Sequence, residues 1–97
     1  MPKAYWISTY KSVKDPNALA EYAKLARLAM EGSGARILAL GMPKKVYEAG
    51  LNERAAVVEF PSVEAAVKVY ESPAYQRAVK VLSAGAEREI RIIEAAE

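Results

Sequence analysis

The chain has 97 residues, of which 53% are hydrophobic and 27% charged, and its formal net charge is +2 at pH 7. This length fits a single domain over residues 1–97 with one core, and the composition is that of an ordinary soluble globular protein. The excess of basic residues is small and mixed with acidic ones, which argues against a dedicated nucleic-acid or membrane-surface protein.

The chain contains no cysteine and no histidine. Their absence removes disulfides, thiol chemistry, histidine-based metal sites and the Ser-His or Cys-His pairs of nucleophilic enzymes. We therefore expect no metal site and no cofactor. No apolar run approaches the roughly 20 residues of a membrane span, and the amino end lacks the apolar segment of a signal peptide. A cytoplasmic location without membrane attachment is the resulting expectation.

The first predicted strand covers Lys3–Lys11, and both of its faces carry bulky side chains. Trp6 and Tyr10 point to one face, whereas Tyr5 and Ile7 point to the other. A sheet with one solvated face alternates more cleanly between apolar and polar residues. We therefore expect both faces of this strand to be covered, one by the helices of this chain and one by another molecule.

A helix is predicted after this strand, with Asp15 as its N-cap and Pro16 at its first position. Its expected buried stripe consists of Leu19, Tyr22, Ala23, Ala26, Ala29 and Met30. The glycines of 32–34 end the helix, 35–40 form the second predicted strand, and 44–48 are expected to resume it.

The third predicted strand covers Arg54–Phe60 and is closed by Pro61, with Ser62 as the cap of a following helix. Ser72 and Pro73 form a second helix-start signal, with Ser72 as the cap and Pro73 at the first helical position. The second helical segment is therefore predicted to break there into two helices. The two apolar stripes are Val63, Ala66, Val67 and Tyr70, then Tyr75, Ala78, Val79 and Leu82, and Gly85 is the expected end.

The last predicted strand covers Arg88–Glu94, and the charged residues at its start, Glu87, Arg88, Glu89 and Arg91, are expected to be solvated. The resulting order, β-α-β-β-α(α)-β, is the split βαβ arrangement of ferredoxin-like α+β proteins. It gives a four-stranded antiparallel sheet with helices on one face. Because the other face is apolar, we expect two sheets to pack face to face in a symmetric homodimer.

Two runs of the sequence carry a family resemblance: Val-Glu-Phe-Pro-Ser-Val-Glu-Ala-Ala at 58–66 and Tyr-Glu-Ser-Pro-Ala-Tyr-Gln at 70–76. They resemble the signature of the DUF1330 family, small uncharacterised proteins of the dimeric α/β-barrel superfamily. The resemblance covers nearly the whole chain, including Tyr5-Trp6-Ile7, and implies a dimeric α/β barrel. No reaction is firmly attributed to the family. Relatives often carry Arg-Gly-Gly where this chain has Leu40-Gly41-Met42, so an anion contact made by that arginine is lost here or comes from elsewhere.

Glu59 and Arg54 are the candidate catalytic residues. A carboxylate late in an apolar strand needs a partner or a pocket, where it could act as a general acid or base. The guanidinium fork of Arg54 suits a carboxylate or enolate-like substrate. Five positions apart, the two residues face opposite sides of the strand, about 16 Å apart along it. The alternative is that each is a structural ion-pair member or strand-end residue.

The candidate ligand-binding residues are Tyr5, Trp6, Tyr22, Arg54, Tyr70 and Tyr75. For the helical tyrosines the alternative is a packing role, with the hydroxyl at the surface. RNA binding is disfavoured because the third strand lacks the aromatic pattern of RNA-recognition domains.

Three functions are compatible with these features. The first is a homodimer that binds a small apolar or aromatic molecule in a cleft near the sheet. The second is a cofactor-independent isomerase or monooxygenase-like enzyme of the same superfamily, which rests on analogy of fold. The third is a structural or interaction dimer without a ligand.

Overall fold

The computed structural model describes residues 2–96, which form a four-stranded sheet with three helices on one face. The elements are β1 (Ala4–Val13), α1 (Pro16–Met30), β2 (Arg36–Gly41), β3 (Ala55–Phe60), α2 (Val63–Glu71), α3 (Pro73–Leu82), a 3-10 turn (Ser83–Gly85) and β4 (Ala86–Glu94). The strands are antiparallel in the order β2-β3-β1-β4. The predicted split βαβ topology is therefore confirmed. Within residues 2–96 no helix, the longest having 15 residues, has the length and apolar character that crossing a bilayer requires.

The helix starts follow the predicted capping residues. The Asp15 carboxylate accepts hydrogen bonds from the backbone amides of Asn17 and Ala18 at 3.1 and 3.2 Å. Ser62 accepts from the amide of Ala65 in the same way, and Ser72 caps α3. Each side chain satisfies amides that have no partner in the first helical turn. The predicted break between α2 and α3 is confirmed.

The core lies between the helices and the face of the sheet that Trp6 and Phe60 share. Trp6 is 2% exposed and stacks on Phe60 with ring centroids 5.7 Å apart, while the edge of Tyr75 meets it at 5.1 Å. The alternate residues of β1, including Tyr5 and Ile7, lie on the opposite face and are only partly buried in the single chain. We call that opposite side of the sheet the open face.

Two predicted segments differ from the structure. Residues 44–48 were expected to extend β2, and this is wrong: 42–54 form an irregular loop between β2 and β3. The loop turns where the amide of Gly50 donates to the carbonyl of Tyr47 at 2.9 Å, and Glu48 has a positive φ of 54°. This conformation interrupts any strand. The helix that was expected to end at Gly85 instead ends at Leu82, and the 3-10 turn completes it.

The solvated start predicted for the last strand is also wrong. β4 begins at Ala86, two residues earlier than expected, and Arg88 is directly opposite Tyr10 of β1. Directly opposed residues share a face of the sheet. Arg88 therefore points toward the helices and is half-buried, while Glu87 and Arg91 are exposed.

Candidate functional site

Three tyrosines and one arginine meet between the helices and the sheet, and we call them the tyrosine–arginine cluster. Arg88 donates from Nη1 to the hydroxyls of Tyr22 at 2.7 Å and Tyr10 at 3.2 Å. Its Nη2 donates to the hydroxyl of Tyr75 at 3.1 Å. The hydroxyls of Tyr22 and Tyr75 are hydrogen-bonded to each other at 2.5 Å. Every side-chain hydroxyl of the cluster is thus engaged by the guanidinium.

Four different elements place these side chains. Tyr10 and Arg88 are cross-strand partners on β1 and β4, Tyr22 belongs to the buried stripe of α1, and Tyr75 lies in the first turn of α3. The guanidinium carbon also lies over the Tyr22 ring, 4.4 Å from its centroid, which is the geometry of a cation–π contact. The cluster therefore joins α1, α3 and the sheet.

Burial makes two tyrosines of this cluster, Tyr10 and Tyr75, weaker acids than a free tyrosine. Burial raises the pKa of Tyr75, the adjacent Tyr22 raises it further, and Arg88 offsets only part of the shift. Burial raises the pKa of Tyr10 as well, again against Arg88. For Arg88, burial alone lowers the pKa, but the contacts with Tyr22 and Tyr75 outweigh it and the pKa is raised. At neutral pH the Arg88 guanidinium is therefore charged, while Tyr10 and Tyr75 are neutral phenols.

A cavity of about 70 Å³ lies beside the cluster, between α1 and the sheet. It is lined by Trp6, Ser8, Tyr10, Leu19, Tyr22, Ala23, Ala26, Arg27, Met30, Ile37, Leu40, Arg54, Ala56 and Val58. The exposed members Arg27, Ile37 and Leu40 mark its open side. Most of the wall is apolar, so the cavity suits a ligand with an apolar body.

Two charged side chains of this cavity, Arg27 and Arg54, have no side-chain partner among residues 2–96. The hydroxyl of Ser8, a residue that is 3% exposed, also borders the cavity. Arg27 and Arg54 make neither a side-chain hydrogen bond nor an ion pair within the same range. These groups are available to a ligand.

The structure brings four of the sequence-predicted site residues together on the helix side of the sheet. Trp6, Tyr22 and Arg54 line the cavity, and Tyr75 completes the cluster beside it. Tyr70 packs against the rings of Trp6 and Tyr75 at 5.8 and 5.2 Å and faces a different groove.

Tyr5 and Glu59 lie on the open face, away from the cavity, where they are direct cross-strand partners. The Glu59 carboxylate forms ion pairs with Lys3 at 3.6 Å and Arg36 at 3.5 Å. Arg54 faces the other side of the sheet, as the spacing predicted. In the part of the chain that the structure describes, no group of three or more acidic side chains is placed to hold a metal.

Arg88 and Tyr10 were not among the predicted site residues. The signal that reveals them is the alternation of β4: counting back by two from the apolar Ile92 and Ile90 places Arg88 on the buried face. A charged residue at such a position requires partners. Once β1 and β4 are paired, Tyr10 is one of them.

Solved structures with similar folds support this architecture. A protein of unknown function from Rhodopseudomonas palustris superimposes with a TM-score of 0.78 at 16% identity, covering 99% of this chain and 84% of that one. SnoaB, a cofactor-independent oxygenase from Streptomyces nogalater, gives 0.67 at 12% identity, covering 100% and 96%. A dimeric ferredoxin-like protein of unknown function from Thermobifida fusca gives 0.66 at 11% identity, covering 97% and 92%.

These likenesses establish a ferredoxin-like fold, and at such low identity they establish the fold alone. No curated protein matches this sequence. The family model described as a domain of unknown function, DUF1330, matches residues 3–96. The chain therefore belongs to the DUF1330 family.

Proposed function

We propose that this protein binds a small apolar or aromatic molecule in the cavity between α1 and the sheet, with a polar group of the ligand directed to Arg54. The observation that carries the proposal is the combination of an apolar wall with the Ser8 hydroxyl and with Arg54, which has no carboxylate partner within residues 2–96. A few convergent polar groups in an apolar recess are typical of small-molecule sites.

The size of the cavity limits how a ligand is held. A volume of about 70 Å³ corresponds to roughly two water molecules, and an apolar cavity of about 150 Å³ accommodates benzene. An aromatic ring would therefore be only partly enclosed and would extend toward the open side at Ile37 and Leu40. Arg54, which is half-buried in the wall, could then pair with an anionic substituent.

Filling the cavity tests this proposal. Ala23 lines it from α1, so Ala23→Leu should place a larger side chain in the recess and weaken the binding of phenol and benzoate about tenfold or more. The matched control is Ala20→Leu, which makes the same change at an exposed position of α1. Isothermal titration calorimetry measures both. Equal affinities in the two variants would contradict binding in the cavity.

A second variant tests the role of Arg54. Arg54→Gln removes the guanidinium charge while keeping a polar side chain, so we expect weaker binding of benzoate and unchanged binding of phenol. If neither probe binds the wild-type protein, the interaction dimer without a ligand becomes the better interpretation.

The chemistry of the site favours binding over catalysis. The raised pKa values of Tyr10 and Tyr75 make these phenols poor general bases at neutral pH. Glu59, the candidate acid or base, lies on the open face in ion pairs. A cofactor-independent oxygenase, as SnoaB is described, is the alternative. Oxygen consumption that depends on an aromatic substrate and is lost in Ala23→Leu would favour it.

The same proposal includes a homodimer formed through the open face. Its centre is apolar, with Tyr5, Ile7, Val57 and the half-exposed Ile93. Packing two copies of this face together would remove the apolar surface from water. Solved structures with similar folds from three organisms are described as dimeric, which supports the proposal.

A further inference from the structure

A second recess lies at the β4 edge of the sheet, between the α2–α3 helices and β4, and we call it the β4 groove. Its volume is about 500 Å³, and it is lined by Tyr70, Val79, Leu82, Ser83, Ala86, Glu87, Arg88, Ile90 and Ile92. It shares no lining residue with the cavity beneath α1. Among the residues 2–96 that line it, Arg88 is the one cation.

Arg88 has unused hydrogen-bond donors. A guanidinium carries five N–H groups in a fixed plane. Nη1 donates to Tyr10 and Tyr22, and Nη2 donates once, to Tyr75. Within residues 2–96 the Nε–H and the second Nη2 hydrogen of Arg88 make no hydrogen bond. Nε and Nη2 form one edge of the guanidinium, and that edge suits a carboxylate bound through both oxygens.

The charge of Arg88 also lacks a counter-charge. No carboxylate oxygen of residues 2–96 lies within 4.0 Å of its guanidinium nitrogens. The neighbouring Glu89 is paired with Arg91 at 2.9 Å, and Glu87 is an exposed residue of the groove wall. A half-buried cation whose partners are all neutral keeps its full attraction for an anion.

The tyrosine hydroxyls and the groove lie on different sides of the Arg88 guanidinium. The groove wall includes Arg88 but none of Tyr10, Tyr22 and Tyr75, so the cluster hydroxyls occupy one side of the guanidinium and the groove lies on another. Beyond Arg88 the wall continues with the apolar Ile90 and Ile92 on the same strand. From Arg88 to Ile92 the distance along β4 is about 13 Å, at the rise of an extended strand.

We propose that the β4 groove binds an apolar monocarboxylate, with the carboxylate on the Nε–Nη2 edge of Arg88 and the hydrocarbon chain along Ile90 and Ile92. The complementarity lies in one cation next to an apolar strip formed by Val79, Leu82, Ile90 and Ile92, while Ser83 and the exposed Glu87 make the rest of the wall polar. The proposal does not depend on ligand binding in the cavity beneath α1, because the two sites have separate walls.

A matched pair of probes tests the proposal on the wild-type protein. Octanoate and 1-octanol have the same chain length and differ in the charge of the head group. We expect octanoate to bind about tenfold more tightly, since the charge-assisted pair with Arg88 is available to it alone. In nuclear magnetic resonance spectra the Arg88 Nε–H signal should shift with octanoate and stay in place with 1-octanol. Equal affinities, or an unmoved Nε–H signal at saturation, would overturn the assignment.

Variants distinguish binding in the β4 groove from binding in the cavity beneath α1. Val79→Phe should obstruct the groove and weaken octanoate binding, whereas Val81→Phe makes the same change at an exposed position of α3 outside its wall. Arg88→Lys keeps the charge but lacks the planar fork, so its affinity for octanoate should also fall. Ala23→Leu should leave octanoate binding unchanged. Loss of octanoate binding in Ala23→Leu alone would place the carboxylate in the other cavity and refute the proposal.

Discussion

Two phenol oxygens, those of Tyr22 and Tyr75, are 2.5 Å apart on one edge of the Arg88 guanidinium. They occupy the positions that the two oxygens of a carboxylate take in a bidentate ion pair. The difference is that phenols bring no negative charge. The guanidinium thus has the hydrogen-bond geometry of an ion pair, but its positive charge is not neutralised. The cation remains able to attract an anion at its other edge.

Tyr75 should make the stability of the protein sensitive to alkaline pH. Burial raises its pKa above the ordinary value of 10.0 in the folded state, so the folded protein holds this proton more tightly than the unfolded chain does. Its contribution to stability is therefore complete below pH 10 and is lost as the pH rises above that value. We expect Tyr75→Phe to have a shallower loss of unfolding free energy above pH 10 than the wild type.

Chemical denaturation at several alkaline pH values measures this slope. The control is Tyr47→Phe, because Tyr47 is 74% exposed and its loss should leave the slope unchanged. Some dependence should persist in Tyr75→Phe, since the pKa of Tyr10 is raised as well. Identical slopes in wild type and Tyr75→Phe would contradict the role assigned to Tyr75.

Some residues of the site could be predicted from the sequence, and others could not. Trp6, Tyr22 and Tyr75 stand out as aromatics on apolar stripes, and all three lie on the helix side of the sheet. Arg88 was wrongly expected to be solvated because its partners are distant in sequence: the tyrosines that it contacts are 78, 66 and 13 residues away. Local pattern alone does not identify partners at such separations.

At the scale of elements, Ser72 connects two helices through one side chain. Its hydroxyl accepts from the amide of Tyr75 at 3.2 Å and donates to the carbonyl of Val69 at 2.7 Å. The same residue therefore begins α3 and ends α2, and it holds the turn that carries Tyr75 toward Arg88. Pro73 follows at the first helical position, where no amide is needed.

Replacing this serine should measurably destabilise the protein. We expect Ser72→Ala to lower the free energy of unfolding by about 1 kcal/mol, the typical cost of losing an N-cap side chain. Ser72→Thr, which keeps a hydroxyl, should retain most of the stability. Urea denaturation followed by circular dichroism compares the three proteins. A Ser72→Ala variant as stable as the wild type would show that the cap contributes nothing here.

Element boundaries were predictable where a side chain determines them. Asp15, Ser62 and Ser72 each mark a helix start that the structure confirms. The loop at 42–54 was not predicted correctly, because its apolar residues resemble those of a strand. Val46, Tyr47 and Leu51 are all exposed. They have no partner in the sheet, so this segment does not form a strand. Hydrophobic composition alone could not show that.

At the scale of the whole molecule, the two faces of the sheet differ in how their charges are arranged. On the open face, Glu59 is paired with Lys3 and Arg36, and Glu89 with Arg91. On the helix side, Arg27, Arg54 and Arg88 have no carboxylate partner in the described part of the chain. A face whose charges are paired with each other around apolar residues suits association between copies, while cations without a carboxylate partner suit anionic ligands.

A charge placed in the middle of the open face should dissociate the proposed dimer. Ile7→Lys puts an ammonium group on β1, and two-fold symmetry brings a second one to the same interface. We expect the variant to be monomeric at concentrations where the wild type is dimeric, as measured by size-exclusion chromatography with light scattering. Leu28→Lys is the control, since Leu28 is 61% exposed on α1. A dimeric Ile7→Lys protein would exclude the open face as the interface.

The central position of β1 has a consequence for the order in which the protein can fold. Its two sheet neighbours, β3 and β4, both follow it at long distance in the chain, and β4 comes after every other element. During synthesis β1 is complete before either neighbour exists, so one of its two edges stays unpaired until residues 86–94 have been made. Joining distant segments costs chain entropy before any contact offsets it. The slow event is thus expected to be the closure of the first strand against the last, while the helices, which carry their own caps, can form early.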